Sequence, residues 1–280
     1  MTQLIWQSPQ WPAFSWQSSV LLELLVKVRF AHGKLLAFAP LIEAQRGDIL
    51  LIDSLDRDLT KDRLVELFGE FRESNLRNSG PPAENLNAEL KKFLAWFNEP
   101  PVGLDGVLRA GIAFFWFLVI YPFEENNEEI AREICELALA QDEKLAIRLY
   151  DLPAQLEANL GEYQKVLAQS FRGDSDITDF LIFFLDLLLK ALGSAAEPAA
   201  QLLKVFQYWK NKTHLELNAR QRQLIDFLLS KSDSSISNRE YVEHYKISRE
   251  SAKRDLKDLE KLNLITLGAG RGRSVTYTLK

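Results

Sequence analysis

The sequence predicts a mainly helical chain in two parts, a large helical body and a small C-terminal module of three helices closed by a glycine-linked pair of strands. Three observations predict it. Apolar residues recur at helical spacing through most of the first 192 residues. After residue 217 the pattern shortens into three brief helices and then two strand-like runs. Charge divides at the same place: residues 217–280 hold 13 Lys and Arg against 8 Asp and Glu, so this tail is +5 within a chain of net −5 and the rest is −10. A chain of 280 residues also exceeds what one hydrophobic core comfortably serves. With 47% hydrophobic and 26% charged residues its composition is that of a globular protein.

The elements follow in order. From Ser18 to Ala39, Leu21, Leu22, Leu25, Val28 and Leu35 mark one amphipathic helix. Thr60 is placed to N-cap a second helix, with Asp62 in its first turn. Asn78-Ser79-Gly80-Pro81-Pro82 reads as a loop. Helical patterns resume over Ala88 to Asn98, Asp105 to Ile120, Asn127 to Gln141, Leu152 to Ala168 and Asp176 to Leu192, the last capped by Thr178. Residues 193–200, which include Gly193, Ser194 and Pro198, are the expected hinge. The division expected is 1–60, 61–192, a linker and helix over 193–216, and a module over 217–280.

In that module Arg220 to Leu229, Asn238 to Tyr245 and Ser248 to Leu262 are helical, and the strands Leu264 to Leu267 and Ser274 to Leu279 flank Gly268-Ala269-Gly270-Arg271-Gly272-Arg273. This is the outline of a winged helix-turn-helix. Ser248 can cap the third helix, Leu256, Leu259 and Leu262 face inward, and Arg249, Ser251, Lys253, Arg254 and Lys257 face out, where such a helix meets base edges and phosphates. Arg271 and Arg273 stand on a loop that can approach a nucleic-acid backbone closely. The alternative is that Asp255, Asp258 and Glu260 neutralise these bases on a module that makes only protein contacts.

One stretch carries chemistry. Tyr121-Pro122-Phe123-Glu124-Glu125-Asn126-Asn127-Glu128-Glu129-Ile130-Ala131-Arg132 resembles the signature of Fic (Fido) proteins, His-Pro-Phe-x-Asp/Glu-Gly-Asn-Gly-Arg-x-x-Arg. The opening, Ile5-Trp6-Gln7 with Trp11-Pro12-Ala13-Phe14-Ser15-Trp16, resembles the DUF4172-like N-terminal segment of one Fic subgroup that often ends in a winged helix. The resemblance implies a Fic helical body and an ancestral transfer of AMP from Mg-ATP to a protein hydroxyl. It also implies that Glu125 occupies the magnesium position, Arg132 a phosphate position, and Asn127 the family asparagine.

The departures fall where the chemistry would be. The family's general base is a histidine, and Tyr121 stands there. A free phenol titrates near ~10, too high for a base at neutrality. The two glycines that let the backbone cradle phosphate are Asn126 and Glu128, and the first arginine is Glu129. One carboxylate about 6 Å from a phosphate at an effective dielectric near 20 repels it by roughly 3 kcal/mol. Asn126 or Asn127 is expected to cap the helix that follows, with Glu128 and Glu129 complementing its dipole and Arg132 pairing with one of them. No clean Ser/Thr-x-x-x-Glu inhibitory helix lies between Ala39 and Thr60, and the flap expected between Phe68 and Pro81 is short.

Other classes find little support. His32, His214 and His244 lack metal spacing and read as surface or packing residues. Cys135 is the single cysteine and no export signal opens the chain, which suits a cytoplasmic protein. The apolar runs at 111–123 and 180–192 fall short of a bilayer's roughly 20 residues. Trp6, Trp11 and Trp16 are expected to pin the N-terminus to the body. The expectation is a Fic-type regulator without a cofactor, partnered by DNA through the winged helix and by a second copy or another protein through the body. The alternative is a divergent adenylyltransferase that still binds Mg-ATP through Glu125, Asn127 and Arg132.

Overall fold

A computed structural model of the chain describes residues 3–40, 58–72, 80–145, 148–212, 214–230, 235–268 and 275–280. It divides into two compact units, residues 1–196 and 197–280.

In the first unit the helices are α1 (Ser18–Leu36), α2 (Lys61–Phe68), α3 (Leu86–Asn98), α4 (Gly106–Ile120), α5 (Asn127–Glu143), α6 (Leu152–Ala158), α7 (Leu160–Ser170) and the start of α8 (Thr178–Lys210). The centre is α4. Every residue from Ala110 to Ile120 is buried, the all-round apolar character of a helix enclosed by others. Gly111 permits this enclosure: a Cβ there would meet the Phe184 ring of α8 at 2.7 Å. Asp105 caps α4 by accepting from Val107 N at 2.8 Å. The same carboxylate holds Arg29 of α1 at 2.8 Å, and Arg29 also grips Asp142 near the end of α5, so one guanidinium ties three elements together.

The expected cap at Thr60 is present, its hydroxyl accepting from Arg63 N at 3.2 Å. Of the three tryptophans, Trp11 anchors the N-terminus, donating to Glu89 of α3 at 2.7 Å and packing edge-on against Trp116 of α4.

Several local expectations are corrected. The single helix over 152–168 is two, because Asn159 takes φ −116° and ψ 25°, outside helical geometry. Asp176, not Thr178, caps α8, accepting from Thr178 N at 2.8 Å, while the Thr178 hydroxyl accepts from Gln17 N. The hinge expected at 193–200 lies inside α8, Pro198 included; four alanines in that stretch favour helix strongly enough to carry it past Gly193 and Pro198. Leu22, expected on the buried face of α1, is 60% exposed. Candidate inhibitory residues 41–57 and flap residues 73–79 lie outside the described residues.

In the second unit, the end of α8 is followed by α9 (Ala219–Ser230), β1 (Ser235–Ser237), α10 (Asn238–Tyr245), α11 (Arg249–Lys261), β2 (Ile265–Leu267) and β3 (Thr276–Leu279). The antiparallel sheet has the order β1-β3-β2, with Ile236 opposite Tyr277 and Thr266 opposite Thr278. The order helix, strand, two helices and hairpin is that of the winged helix expected from the sequence. Its own core gathers Leu224, Ile225, Leu228, Tyr241, Leu256 and Leu259. Leu262 is exposed rather than inward, because α11 ends at Lys261 and Leu262 has become its C-cap. Among the described residues no helix is long and apolar enough to cross a membrane.

Candidate functional sites

The motif loop joins the end of α4 to the start of α5. Tyr121 closes α4 in the left-handed region, φ 49° and ψ 61°, with its N–H on Phe117 O at 2.9 Å. Asn126 is left-handed as well, at φ 61°. Asparagine tolerates that conformation better than most residues, so the chain keeps a glycine-like bend without a glycine.

The expected capping is corrected. Neither Asn126 nor Asn127 caps α5 with its side chain. Asn127 is 1% exposed and turns back into the loop, accepting from Phe123 N at 2.9 Å and donating to Phe123 O at 2.8 Å. Its amide is occupied in closing the loop. Arg72 buttresses the same loop from outside: its Nε donates to Tyr121 O at 2.7 Å, its backbone N–H donates to Pro122 O at 2.9 Å, and Phe71 bridges to Phe123.

The other motif residues disperse. Glu125 is exposed in an open cleft with Glu70, Glu124, Phe68, Phe71 and Asn126. Glu128 and Glu129 are exposed in the first turn of α5, as expected. Arg132 faces a different, small cavity with Phe114, Cys135, Glu136, Leu152 and Leu156. No ion pair joins it to Glu128 or Glu129 among the described residues, which corrects the expected helical pairing. A Mg-nucleotide would need these groups together. The cleft gathers Glu70 and Glu124 beside Glu125, and the Asn127 amide is taken up by Phe123, so this acidic lining does not fit a triphosphate. Among the described residues no three of His, Cys, Asp and Glu are grouped as a metal requires.

Sequence reasoning missed a buried polar cluster at the far end of α5. His32, read as a surface or packing residue, is 2% exposed and donates from Nε2 to Glu143 Oε1 at 2.7 Å. Arg148 reaches Glu143 Oε2 at 2.7 Å, and the Tyr150 hydroxyl donates to Glu143 Oε1. Burial pushes the Glu143 carboxyl up, but the His32 hydrogen bond, the Arg148 charge and Tyr150 outweigh it and hold it below the usual range. Glu136 is the opposite case. Arg148 Nε lies 2.9 Å from Glu136 Oε2, yet both carboxylate oxygens are buried without a hydrogen bond, and burial pushes this group up to about 7. A signal was present: His32 sits four residues after Val28 and three before Leu35, on the buried stripe of α1.

On the winged helix, Ser248 caps α11, accepting from Ser251 N at 3.1 Å. Arg249, Lys253, Arg254 and Lys257 are exposed, with Glu250 among them, and among the described residues none of the four bases is in an ion pair. Ser251 is half-buried and shares a hydrogen bond with the Ser248 hydroxyl at 3.0 Å. Asp255, weighed as a neutraliser of these bases, instead points inward at 4% exposure. It accepts from Asn218 at 2.9 Å, Arg220 at 3.1 Å and Tyr241 at 3.2 Å. Asp258 is paired with Lys261. Arg271 and Arg273 lie outside the described residues.

Comparison with known proteins gives matches to a family model and to solved structures. Residues 4–74, about a quarter of the chain, match the family model DUF4172, a domain of unknown function. This is the segment whose tryptophans carried the N-terminal resemblance. A solved Fic family protein from Desulfovibrio desulfuricans G20 is similar to 91% of this chain over 73% of its own, at 17% identity and a TM-score of 0.43. A search of curated proteins found no match.

Proposed function

We propose that this chain is a Fic-type protein whose nucleotide-transfer site has been dismantled and which acts as a regulator, binding DNA through α11 while its helical body meets a second copy or a protein partner. The observation that carries the DNA reading is the state of α11: four bases stand in solvent without an ion partner among the described residues, and Asp255, unlike the exposed Glu250, is spent on holding α9 and α10. Bases kept free on the second helix of a helix-turn-helix suit phosphate contact. The loss of transfer is supported by the motif loop, where Asn127 is withdrawn into the backbone and carboxylates line the cleft.

The test uses the full chain on random duplex DNA from 50 to 200 mM salt. Binding should weaken steeply with salt, and Lys253→Ala/Arg254→Ala should shallow the log–log slope by about 2, near 0.9 for each phosphate contact. No binding at low salt, or an unchanged slope, overturns the reading in favour of a protein-only module.

A second reading, a divergent adenylyltransferase, draws on Glu125 open to the cleft and the glycine-like bend kept at Asn126. Calorimetry with Mg-ATP separates the two. No heat of binding is expected, whereas label transfer from ATP that vanishes on Tyr121→Phe would establish the enzyme.

A further inference from the structure

Helix α1 turns Leu21, Val28, His32 and Leu35 into the body, but its opposite side is not polar. Leu22, Val26 and Phe30, one turn apart, are 60%, 58% and 64% exposed. Ser19 and Gly33 extend this stripe at either end, both exposed, and a Cβ at Gly33 would meet nothing within 4 Å. At 100° per residue the five positions fall within about 40° of one line. Their spacing reads three, four, four, three from either end, with Val26 at the centre.

A stripe with that spacing is matched by its own reversal. A two-fold interface needs this property, since one patch must serve both sides. We propose that the exposed face of α1 is a homodimer contact in which two copies of this chain pair their α1 helices antiparallel about Val26. Val26 meets Val26, Leu22 of each copy lies level with Phe30 of the other, and the small Ser19 and Gly33 let the helix ends approach.

Charge chooses the direction. Glu23 and Lys27 flank the stripe on one side, bonded to each other at 2.6 Å and both largely exposed. Antiparallel pairing brings each Glu23 within about two residues' rise, roughly 3 Å along the axis, of the partner's Lys27 position, on the same flank, and does so twice. Parallel pairing brings the Glu23-bearing flank of one helix against the other flank of its partner, and this complement is lost. One helix pair is a small interface, so the dimer is a weak one with micromolar dissociation.

Sedimentation equilibrium of the full chain from about 1 to about 200 μM should show mass rising from 32.1 kDa toward twice that value. Val26→Glu, which sets two carboxylates face to face, should leave only monomer. Glu23→Lys and Lys27→Glu should each weaken association about tenfold, and the double exchange Glu23→Lys/Lys27→Glu should restore it. All these positions are exposed, and an unchanged thermal melt of each variant confirms its fold. Oxidised Val26→Cys should cross-link to itself. Leu22→Cys should not, because two Leu22 positions lie about 12 Å apart along the antiparallel pair.

Monomer at every concentration overturns the proposal, as does a dimer indifferent to Val26→Glu or a charge exchange no better than its single variants. Ready self-cross-linking of Leu22→Cys overturns the antiparallel register. None of these readings depends on DNA binding, so the dimer and the regulator can fail separately.

Discussion

Asn127 shows how a residue that matches a resembled signature by its letter can be occupied in local structure. Its amide bonds both polar groups of Phe123 at 2.9 and 2.8 Å in a position 1% exposed. Water cannot replace those bonds once the side chain is removed, so a buried N–H and a buried C=O are left unpaired at about 1–3 kcal/mol each. Asn127→Ala should therefore destabilise the first unit by about 2–4 kcal/mol and lower its Tm by roughly 5–10 °C in a calorimetric scan. A change under about 0.5 kcal/mol would mean that the loop is held by Arg72 alone. The same residue marks what was legible beforehand. The departures of Tyr121, Glu128 and Glu129 from the resembled signature are visible in the letters, because they are matters of residue type. That Asn127 turns inward and Arg132 faces another cavity depends on side-chain direction, which a motif does not encode. His32 stood between, since its helical phase put it on the buried stripe but its partners Glu143 and Tyr150 are more than a hundred residues away.

At the scale of elements, α5 carries two acidic ends in contrasting states. Glu128 and Glu129 at its start sit in solvent beside the positive end of the helix dipole, while Glu136 and Glu143 are packed against Arg148 near its other end. Burial raises Glu136 to about 7 from its ordinary 4.5. Between those two values the folded chain keeps a proton that the unfolded chain has released, so the free energy of unfolding falls as pH rises from about 4.5 to about 7 and then levels. Glu143 works in the other direction: held below its usual range, it contributes stability above pH about 4.5 and loses it in acid. Glu136→Gln removes the first effect and leaves Arg148 its bond to Glu143. Urea midpoints at pH 5 and pH 8 should converge in the variant, with a gain of about 2–3 kcal/mol at pH 8. A wild-type chain more stable at pH 8 than at pH 5 would contradict this. Element boundaries were otherwise legible where caps are chemical, as at Thr60 and Ser248. They were misread where opposing propensities met: Asn159 broke an expected helix, and alanines carried α8 through an expected hinge.

Over the whole molecule the organising quantity is the separation of charge. Residues 197–280 hold 16 Lys and Arg against 10 Asp and Glu, a net of +6, which leaves −11 on residues 1–196. This division was legible from the letters, and the structure places a separate core, built on Leu224, Tyr241 and Leu256, under the basic part. If α11 meets DNA, an acidic body tethered to it repels the same polyanion. Coulomb repulsion over tens of ångströms is strong only in dilute salt, since the screening length is about 10 Å at 0.1 M and falls to about 3 Å at 1 M. The fragment 197–280 should therefore bind a duplex of about 15 base pairs, long enough for one module, more tightly than the full chain. The advantage should be about tenfold at 50 mM salt and fade by about 300 mM. Fluorescence anisotropy on both proteins, below micromolar concentration so that any α1 pairing is dissociated, makes the comparison. Far-ultraviolet circular dichroism confirms that the fragment is folded. Equal affinity at all salt concentrations would show that the body's charge does not reach the DNA. Tighter binding by the full chain at low salt would mean that unit 1 contributes contacts of its own, and DNA recognition would then have to be sought on both units.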